Sequence, residues 1–461
     1  MVSFILLCLL LGLGHLLRVR IKLFQKLYLP SCVVAGLAGL CIIQLIYLIS
    51  NHLGDGSFTQ KTLEFTSPWS KIPGFLINIV FACLFLGVKI PKFSHLIKVA
   101  KPQVIYGQIV AWGQYVVGIG VFIIGSKWIF KNLPAMFAGI LPVGFEGGHG
   151  TAAGMAEVFE HYGWEAGKDF ALTSATLGIV FAIIFGMILV NWAVRKGYVQ
   201  NIKSPSEIEE DDSIGVIPVD RRPSAGRLTV NSDVVEAFSM QIVAVAIAIG
   251  IGYLIKELLM ILEAGVPFLS EHKLLTGFPL FPLCMVGGLI VQIFEDKYDK
   301  HNLIDLGLIR RIQNSSLDFL VIAAIATIKV EVVLSGLLPL LLLVAAGIAW
   351  NVFCVLFLAR RIFTDSWFER AIVEMGQSMG VTATGLLLLR VVDPDCKTQA
   401  ADAFACKQLV HEPFMGGGLW TASAIPLIAI MGALPVFFIS LSAIVFWLII
   451  ALLPKFLCVK K

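Results

Sequence analysis

Apolar tracts long enough to cross a bilayer recur along this chain from end to end, at 2–17, 29–49, 73–88, 103–125, 169–194, 234–256, 274–294, 316–334, 336–358 and from about 413. A helix crosses hydrocarbon in about 20 apolar residues. Lipid offers no partner for backbone N–H and C=O groups, so such tracts have to satisfy their own and read as helices. A mean hydropathy of +0.88 with only 14% charged residues excludes a soluble globule carrying one anchor. The first tract is short enough for a signal peptide, but no small-x-small cleavage site follows it and the basic stretch RVRIKLFQK does, so it is read as a span. The net charge of +4 is spread over loops and excludes nucleic acid as a partner. Cys32, Cys41, Cys83, Cys284 and Cys354 lie in apolar segments with no CxxC pair, so no disulfide, metal or cofactor framework is expected.

Lysine and arginine mark the loops on one side: Arg18, Arg20, Lys22 and Lys26; Lys89, Lys92, Lys98 and Lys101; Lys297, Lys300, Arg310 and Arg311; Arg360, Arg361 and Arg370. By the positive-inside rule these are cytoplasmic. The loops near Asp55, Lys127 and Lys273 alternate with them outside, which places the N-terminus outside. Two apolar tracts then break the parity, one at about 134–160 and one at about 371–389. Both read as re-entrant hairpins, with glycine at the turn and protein or water around the free backbone groups. The polar stretch 196–233 reads as a flexible cytoplasmic linker between an N-terminal half, 1–195, and a C-terminal half, 234–461. Across it PSCVVAGL from Pro30 repeats as PLCMVGGL from Pro282, and TAAG from Thr151 as TATG from Thr382. Each half has an odd number of full spans, so the repeats are inverted. The expected fold is an all-α polytopic membrane protein of two inverted-topology repeats of five transmembrane helices, each with a re-entrant hairpin before its last helix. That is the plan of secondary carriers working by alternating access.

The chemistry concentrates at the hairpins. GFEGGHGTAAGM begins at Gly144 and sets Glu146 and His149 among Gly147, Gly148, Gly150 and Thr151; GQSMGVTATG offers Ser378, Thr382 and Thr384 with Gly376 and Gly380. Glycine lets backbone approach a ligand, and free amides at a half-helix N-terminus suit a carboxylate. Hydroxyls and unwound carbonyls suit Na+, so Thr151, Ser378 and Thr382 are candidates for coupling a cation. An ionisable group at this depth is costly and reads as functional by default, which makes Glu146 a candidate for balancing a cation or accepting a proton. His149 has two readings, pinning the turn or touching substrate. Arg390, at the end of the second hairpin, has two as well: pairing with a substrate carboxylate, or anchoring at the cytoplasmic edge. Asp318 reads as an acid in the first turn of its span. Close packing of small residues is the plainer alternative for either glycine cluster taken alone. A channel, or an intramembrane enzyme using Ser378 or Thr151 beside His149, is a lesser alternative, since no third orienting group follows.

GGHGTAAGM, LDFLVIAAIATIK and the spacing G-x-S-x-G-x-T-A-T-G from Gly376 together resemble the glutamate:sodium symporter family of bacterial inner-membrane carriers, over essentially the whole chain. The resemblance implies sodium-coupled uptake of glutamate, a homodimer in the inner membrane and an elevator-type movement. It places the family's loop tips on Gly147, Gly148, His149, Gly150 and Thr151, and on Gly376, Ser378, Gly380, Thr382 and Thr384. Phe145 and Glu146 before the first GG depart from the small or neutral residues expected there, and LLLLR after the second threonine pair departs from the polar, Asn-containing stretch expected in its place. They keep another small carboxylate, an amino acid or a zwitterion open as substrate, and H+ open as coupling ion.

Overall fold

The computed structural model describes residues 2–53, 57–89, 93–199, 216–217, 219, 222–273, 275–394 and 397–453. The loop tip at Asp55, Asp395, the terminal lysines and most of the linker's acidic part lie outside them. In chain order, and leaving aside short connecting helices such as Ser57–Thr66, the helices are α1 (Val2–Arg20), α2 (Ser31–Leu53), α3 (Ile72–Ala82), α4 (Phe93–Gly125), α5 (Ile140–Gly144), α6 (Gly148–Gly154), α7 (Ala156–His161) and α8 (Ala166–Arg195). They continue as α9 (Ala237–Gly265), α10 (Phe281–Tyr298), α11 (Leu306–Ala326), α12 (Leu337–Ile362), α13 (Trp367–Val392), α14 (Ala400–His411), α15 (Leu419–Met431) and α16 (Ala433–Leu452). Among the described residues, eight helices are long and apolar enough to cross a membrane.

Several boundaries differ from those read along the sequence. The span expected at 316–334 is α11, which starts ten residues earlier and stops at Ala326. Asp305 caps it, accepting from the Leu308 N–H at 2.9 Å, so Asp318 sits in mid-helix and not in a first turn. Arg310 and Arg311 had suggested a loop, but on a helix they occupy solvent-facing positions beside Ile309, which is buried. The tract at 73–88 yields only the eleven residues of α3 before a run of turns. The C-terminal tract is two helices, α15 and α16, parted at Gly432 with φ +83°.

The chain forms two compact units, and each draws on both sides of the linker. The first comprises Met1–Ile90, Ala153–His161 and Glu210–Ile328. In it α2 packs on α1 and α11, and α9 on α10, with Ala82, Cys83, Leu86, Val245, Ala248, Cys284 and Ile309 as a buried core. Glycine closes these contacts: a methyl on Gly287 would lie 2.1 Å from the Ala248 carbonyl oxygen, and one on Gly288 would lie 2.3 Å from that of Ala82. In this unit the PSCVVAGL and PLCMVGGL copies therefore serve helix packing.

The second unit comprises Pro91–Ala152, Tyr162–Glu209 and Lys329–Lys461. There α4 packs on α14 and α16, and α8 on α13. Besides the parting at Gly432, three breaks among its described residues bear on the polar groups. Between α5 and α6 the Pro142 carbonyl accepts from both Glu146 N and Gly147 N at 3.1 Å, and Gly148 turns with φ +66°. In α13 the break falls at Gly380 and Val381. Residues nine apart on one helix are separated by about 13 Å. Here, however, a methyl on Gly376 would lie 2.6 Å from Gly385 Cα, so the two arms fold back on each other through glycine backbone. The third break, 412–418, was not expected from the sequence; it separates α14 from α15 with Gly416 and Gly417 at φ +60° and +103°.

Candidate functional site

Within the second unit the first two breaks abut. A methyl on Gly148 would come within 2.3 Å of Val381 Cγ1, and α8 seats both breaks with small residues. A methyl on Gly144 would meet Ser174, and one on Gly178 would lie 2.3 Å from the Met379 carbonyl oxygen. Val381 holds φ +70°, a region that β-branched residues rarely adopt, so the second break carries backbone strain. The third break reaches the first: Thr151 Oγ1 donates to the Gly416 carbonyl at 3.4 Å.

Each candidate from the sequence has a definite place. His149 is buried, with Nε2 at 3.0 Å from Thr176 Oγ1; that hydroxyl donates to the Leu172 carbonyl, so the imidazole N–H is the donor to it. This bond pins the turn to α8. Ser378 Oγ donates to Asn351 Oδ1 at 2.5 Å, while the Ser378 carbonyl accepts from Gln114 Nε2 at 2.6 Å. Thr384 Oγ1 donates to the Gly380 carbonyl, bracing the break from inside. Thr382 Oγ1 donates to Glu412 Oε1 at 3.0 Å and accepts from Gln408 Nε2 at 2.7 Å. Gly147 and Gly150 are half-buried beside them. Arg390 is exposed in the last turn of α13, and no contact among the described residues joins it to this group.

Glu146 leads to residues that sequence reasoning missed. Its Oε1 accepts from His411 Nε2 at 2.7 Å and from Gln377 Nε2 at 2.9 Å. Trp112 Nε1 donates to Gln108 Oε1 at 2.9 Å, which turns the Gln108 amide nitrogen toward His411 Nδ1, 3.2 Å away. Nδ1 is then an acceptor and Nε2 carries the proton, the tautomer of a neutral imidazole donating to Glu146. From Gln377 the network runs to Lys407 and Glu374, and from Gln408 to Thr382 and Glu412. With His411 neutral, two buried carboxylates, Glu146 and Glu374, face one buried ammonium, Lys407, leaving negative charge in excess. Glu146 Oε2 is buried with no hydrogen-bond partner among the described residues. Lys407 and His411 stand four apart on α14 and share a helix face. That spacing is the signal the sequence offers, in a stretch that lies between the second hairpin and the last span. Among the described residues no group of His, Cys, Asp and Glu is arranged to hold a resident metal.

A helical membrane protein with an ionisable network gathered at broken helices belongs to the class that handles polar solutes inside the bilayer. Residues 1–393 match the model of the sodium/glutamate symporter family, and the chain belongs to that family, one of transporters and not of enzymes. Among curated proteins, the sodium/glutamate symporter of Haemophilus influenzae (strain Rd) is 30% identical over 207 residues, 43% of this chain and 45% of that protein. The sodium/glutamate symporter of Escherichia coli K12 is 22% identical over 283 residues, 60% of this chain and 63% of that protein, and that of Shigella flexneri is similar to the same extent. The chain thus spans about half to under two thirds of the length of the curated relatives it matches. No solved structure matches it.

Proposed function

We propose that this protein is a secondary carrier that couples inward movement of a cation, Na+, to uptake of glutamate or a related small carboxylate or amino acid. The observation that carries the reading is the meeting of the breaks at Gly148 and Val381, with buried Glu146 two residues before Gly148 and its Oε2 without a hydrogen-bond partner among the described residues. A carboxylate oxygen with no hydrogen-bond partner among the described residues, on the same glycine-rich segment as Thr151, whose hydroxyl reaches the Gly416 carbonyl, offers an oxygen ligand to a sodium ion. In this reading the first-turn amides of α6, at Gly148, His149 and Gly150, and the break at Gly380 offer donors to a substrate carboxylate, while Gly376 permits the fold-back onto Gly385 that shapes the site. Thr151, Ser378 and Thr382 supply hydroxyls to one ligand or the other.

In this reading the broken segments near 134–160 and 371–389 enter from opposite leaflets as re-entrant hairpins of two inverted five-helix repeats. The fold-back of Gly376 onto Gly385 and the abutting of the two breaks support it. Alternating access follows by an elevator-type movement in a homodimer of the bacterial inner membrane, with the N-terminus outside and the linker cytoplasmic. Membership of the symporter family supports the sodium coupling and the glutamate-like substrate.

A second reading, H+ in place of Na+, is favoured by one contact, the buried His411–Glu146 pair at 2.7 Å. Uptake by proteoliposomes of a panel of labelled amino acids and dicarboxylates, under imposed Na+ or H+ gradients, tests both. The expected outcome is concentrative glutamate uptake driven by Na+ and lost in Glu146→Gln. Uptake driven by a pH gradient alone selects the second reading, and conversion of the label without net movement sinks both.

A further inference from the structure

Lys407 and Glu374 form an ion pair of 2.6 Å with both side chains wholly buried. An ammonium has three N–H donors and accepts nothing. Here it donates to Gln408 Oε1 at 2.9 Å and Gln377 Oε1 at 3.2 Å and meets Glu374 Oε1 as a close ion-pair contact, outside hydrogen-bond angles, so three oxygens surround it. The other carboxylate oxygen of Glu374 accepts from Gln103 Nε2 at 2.8 Å. Helix α4 makes room for the pair: a methyl on Gly107 would lie 2.5 Å from Lys407 Cε and 2.6 Å from Glu374 Oε1. One carboxylate and two amide carbonyls are also the all-oxygen set that a small hard cation takes. Both amides face a break through their nitrogens, Gln377 toward Glu146 and Gln408 toward Thr382 and Glu412.

We propose that Lys407 is a tethered cation that fills a position a coupling ion would otherwise take, with Glu374, Gln377 and Gln408 as its ligands. The proposal rests on the carrier reading above. Glu374 is then neutralised by the chain itself in every conformation and draws no ion from solution, which leaves Glu146 as the carboxylate open to a sodium ion. By holding both amide oxygens, the ammonium also turns both amide nitrogens toward the breaks. Lys407 is accordingly a positioning residue that sets the number of ions bound.

The test is equilibrium binding of radiosodium to the purified full chain, alongside sodium-dependent glutamate uptake in proteoliposomes. Lys407→Met is expected to bind an additional sodium ion per chain and to show a steeper dependence of uptake on sodium. Lys407→Met combined with Glu374→Gln is expected to return to the wild-type count. A wild-type count in folded Lys407→Met overturns the proposal. Should that variant not yield monodisperse protein, Lys407→Ala leaves space for a small ion, and its thermal midpoint is compared in sodium, methylammonium and choline chloride. A higher midpoint in sodium or methylammonium than in choline supports the tethered cation, and equal midpoints overturn it. Wild-type protein that moves no solute, while Lys407→Met gains a sodium ion, supports this ion site and sinks only the carrier reading. Wild-type uptake with an unchanged count in Lys407→Met sinks only the lysine proposal.

Discussion

In the first unit Gly287 and Gly288 sit inside an unbroken α10 and bring its backbone against Ala248 and Ala82, whereas in the second Gly148 sits at positive φ where a helix stops and its neighbour is another break. Gly288 matches Gly36 in the repeat across the linker, whereas Gly148 lies three residues before the repeated TAAG. In the first unit the residues around the close contact are apolar, so the helix keeps its own hydrogen bonds and glycine supplies only proximity. In the second, the freed amides and carbonyls lie among Glu146, Thr151, Ser378 and Thr382, and side chains have to satisfy them. Glycine content alone therefore does not separate the two units; glycine beside buried polar groups does.

Substitutions can break this contrast, and the largest effect is expected at the first break. Gly148→Ala meets Val381 Cγ1 and cannot easily hold φ +66°. It is expected to lower uptake per folded molecule by roughly 10- to 100-fold, from about 1–3 kcal/mol of strain and displacement at the meeting point. Proteoliposome uptake normalised to monodisperse protein measures this, and a near-wild-type rate would mean that the junction is not at the transport site. Gly287→Ala forces α10 off the Ala248 carbonyl and should destabilise by about 1–3 kcal/mol, read as a lower thermal midpoint in detergent. Uptake per folded molecule should hold. If it falls as far as in Gly148→Ala, the distinction between packing glycine and break glycine is lost.

A smaller effect sharpens the comparison between the two breaks themselves. The first turns at a glycine and the second at Val381, so only the second stores strain in an L-residue at φ +70°. Val381→Gly should raise stability by about 1 kcal/mol, the relieved strain less the added freedom of the unfolded chain. An unchanged or lower midpoint would show that the valine side chain contributes more by packing than its backbone costs.

The smallest effect is expected outside the membrane in the first unit. Asp299 accepts from His301 N and Leu303 N, both at 2.7 Å, and these backbone bonds, led by that from Leu303, hold its carboxyl below the usual range. A depressed folded value stabilises above the unfolded carboxylate pKa of about 3.9, and the contribution is lost as pH falls through the folded value. Asp299→Asn should therefore lower the thermal midpoint slightly at neutral pH, with the gap to wild type closing below about pH 4. A gap independent of pH would assign the effect to loop geometry and not to charge.

Part of the candidate site was legible because membrane depth makes charge and glycine conspicuous. Glu146 and His149 stood out inside an apolar tract, and both are buried at the first break. Their roles were not legible: His149 turns to Thr176, while Glu146 turns to His411, 265 positions along the chain. Glu374, Gln377, Lys407 and His411 went unremarked because each sits on a helix with ordinary spacing, and the stretch holding Lys407 is short and moderately polar. Asp318 was misplaced because two arginines before it mimic a loop, although they project from α11 without ending it.

The order of apolar and basic segments by itself determined a helical membrane protein broken near 134–160 and 371–389, since hydrocarbon forbids unpaired backbone and glycine is the residue at which a helix can stop. Only the tertiary structure decided that the break at Gly148 meets the break at Val381, that a third break joins them at Gly416, and that one lysine is sealed against Glu374. The first two are pairings between residues more than two hundred positions apart, and the third joins two different helices. Local propensity and hydropathy carry no information about which buried donor finds which acceptor; packing in three dimensions assigns it.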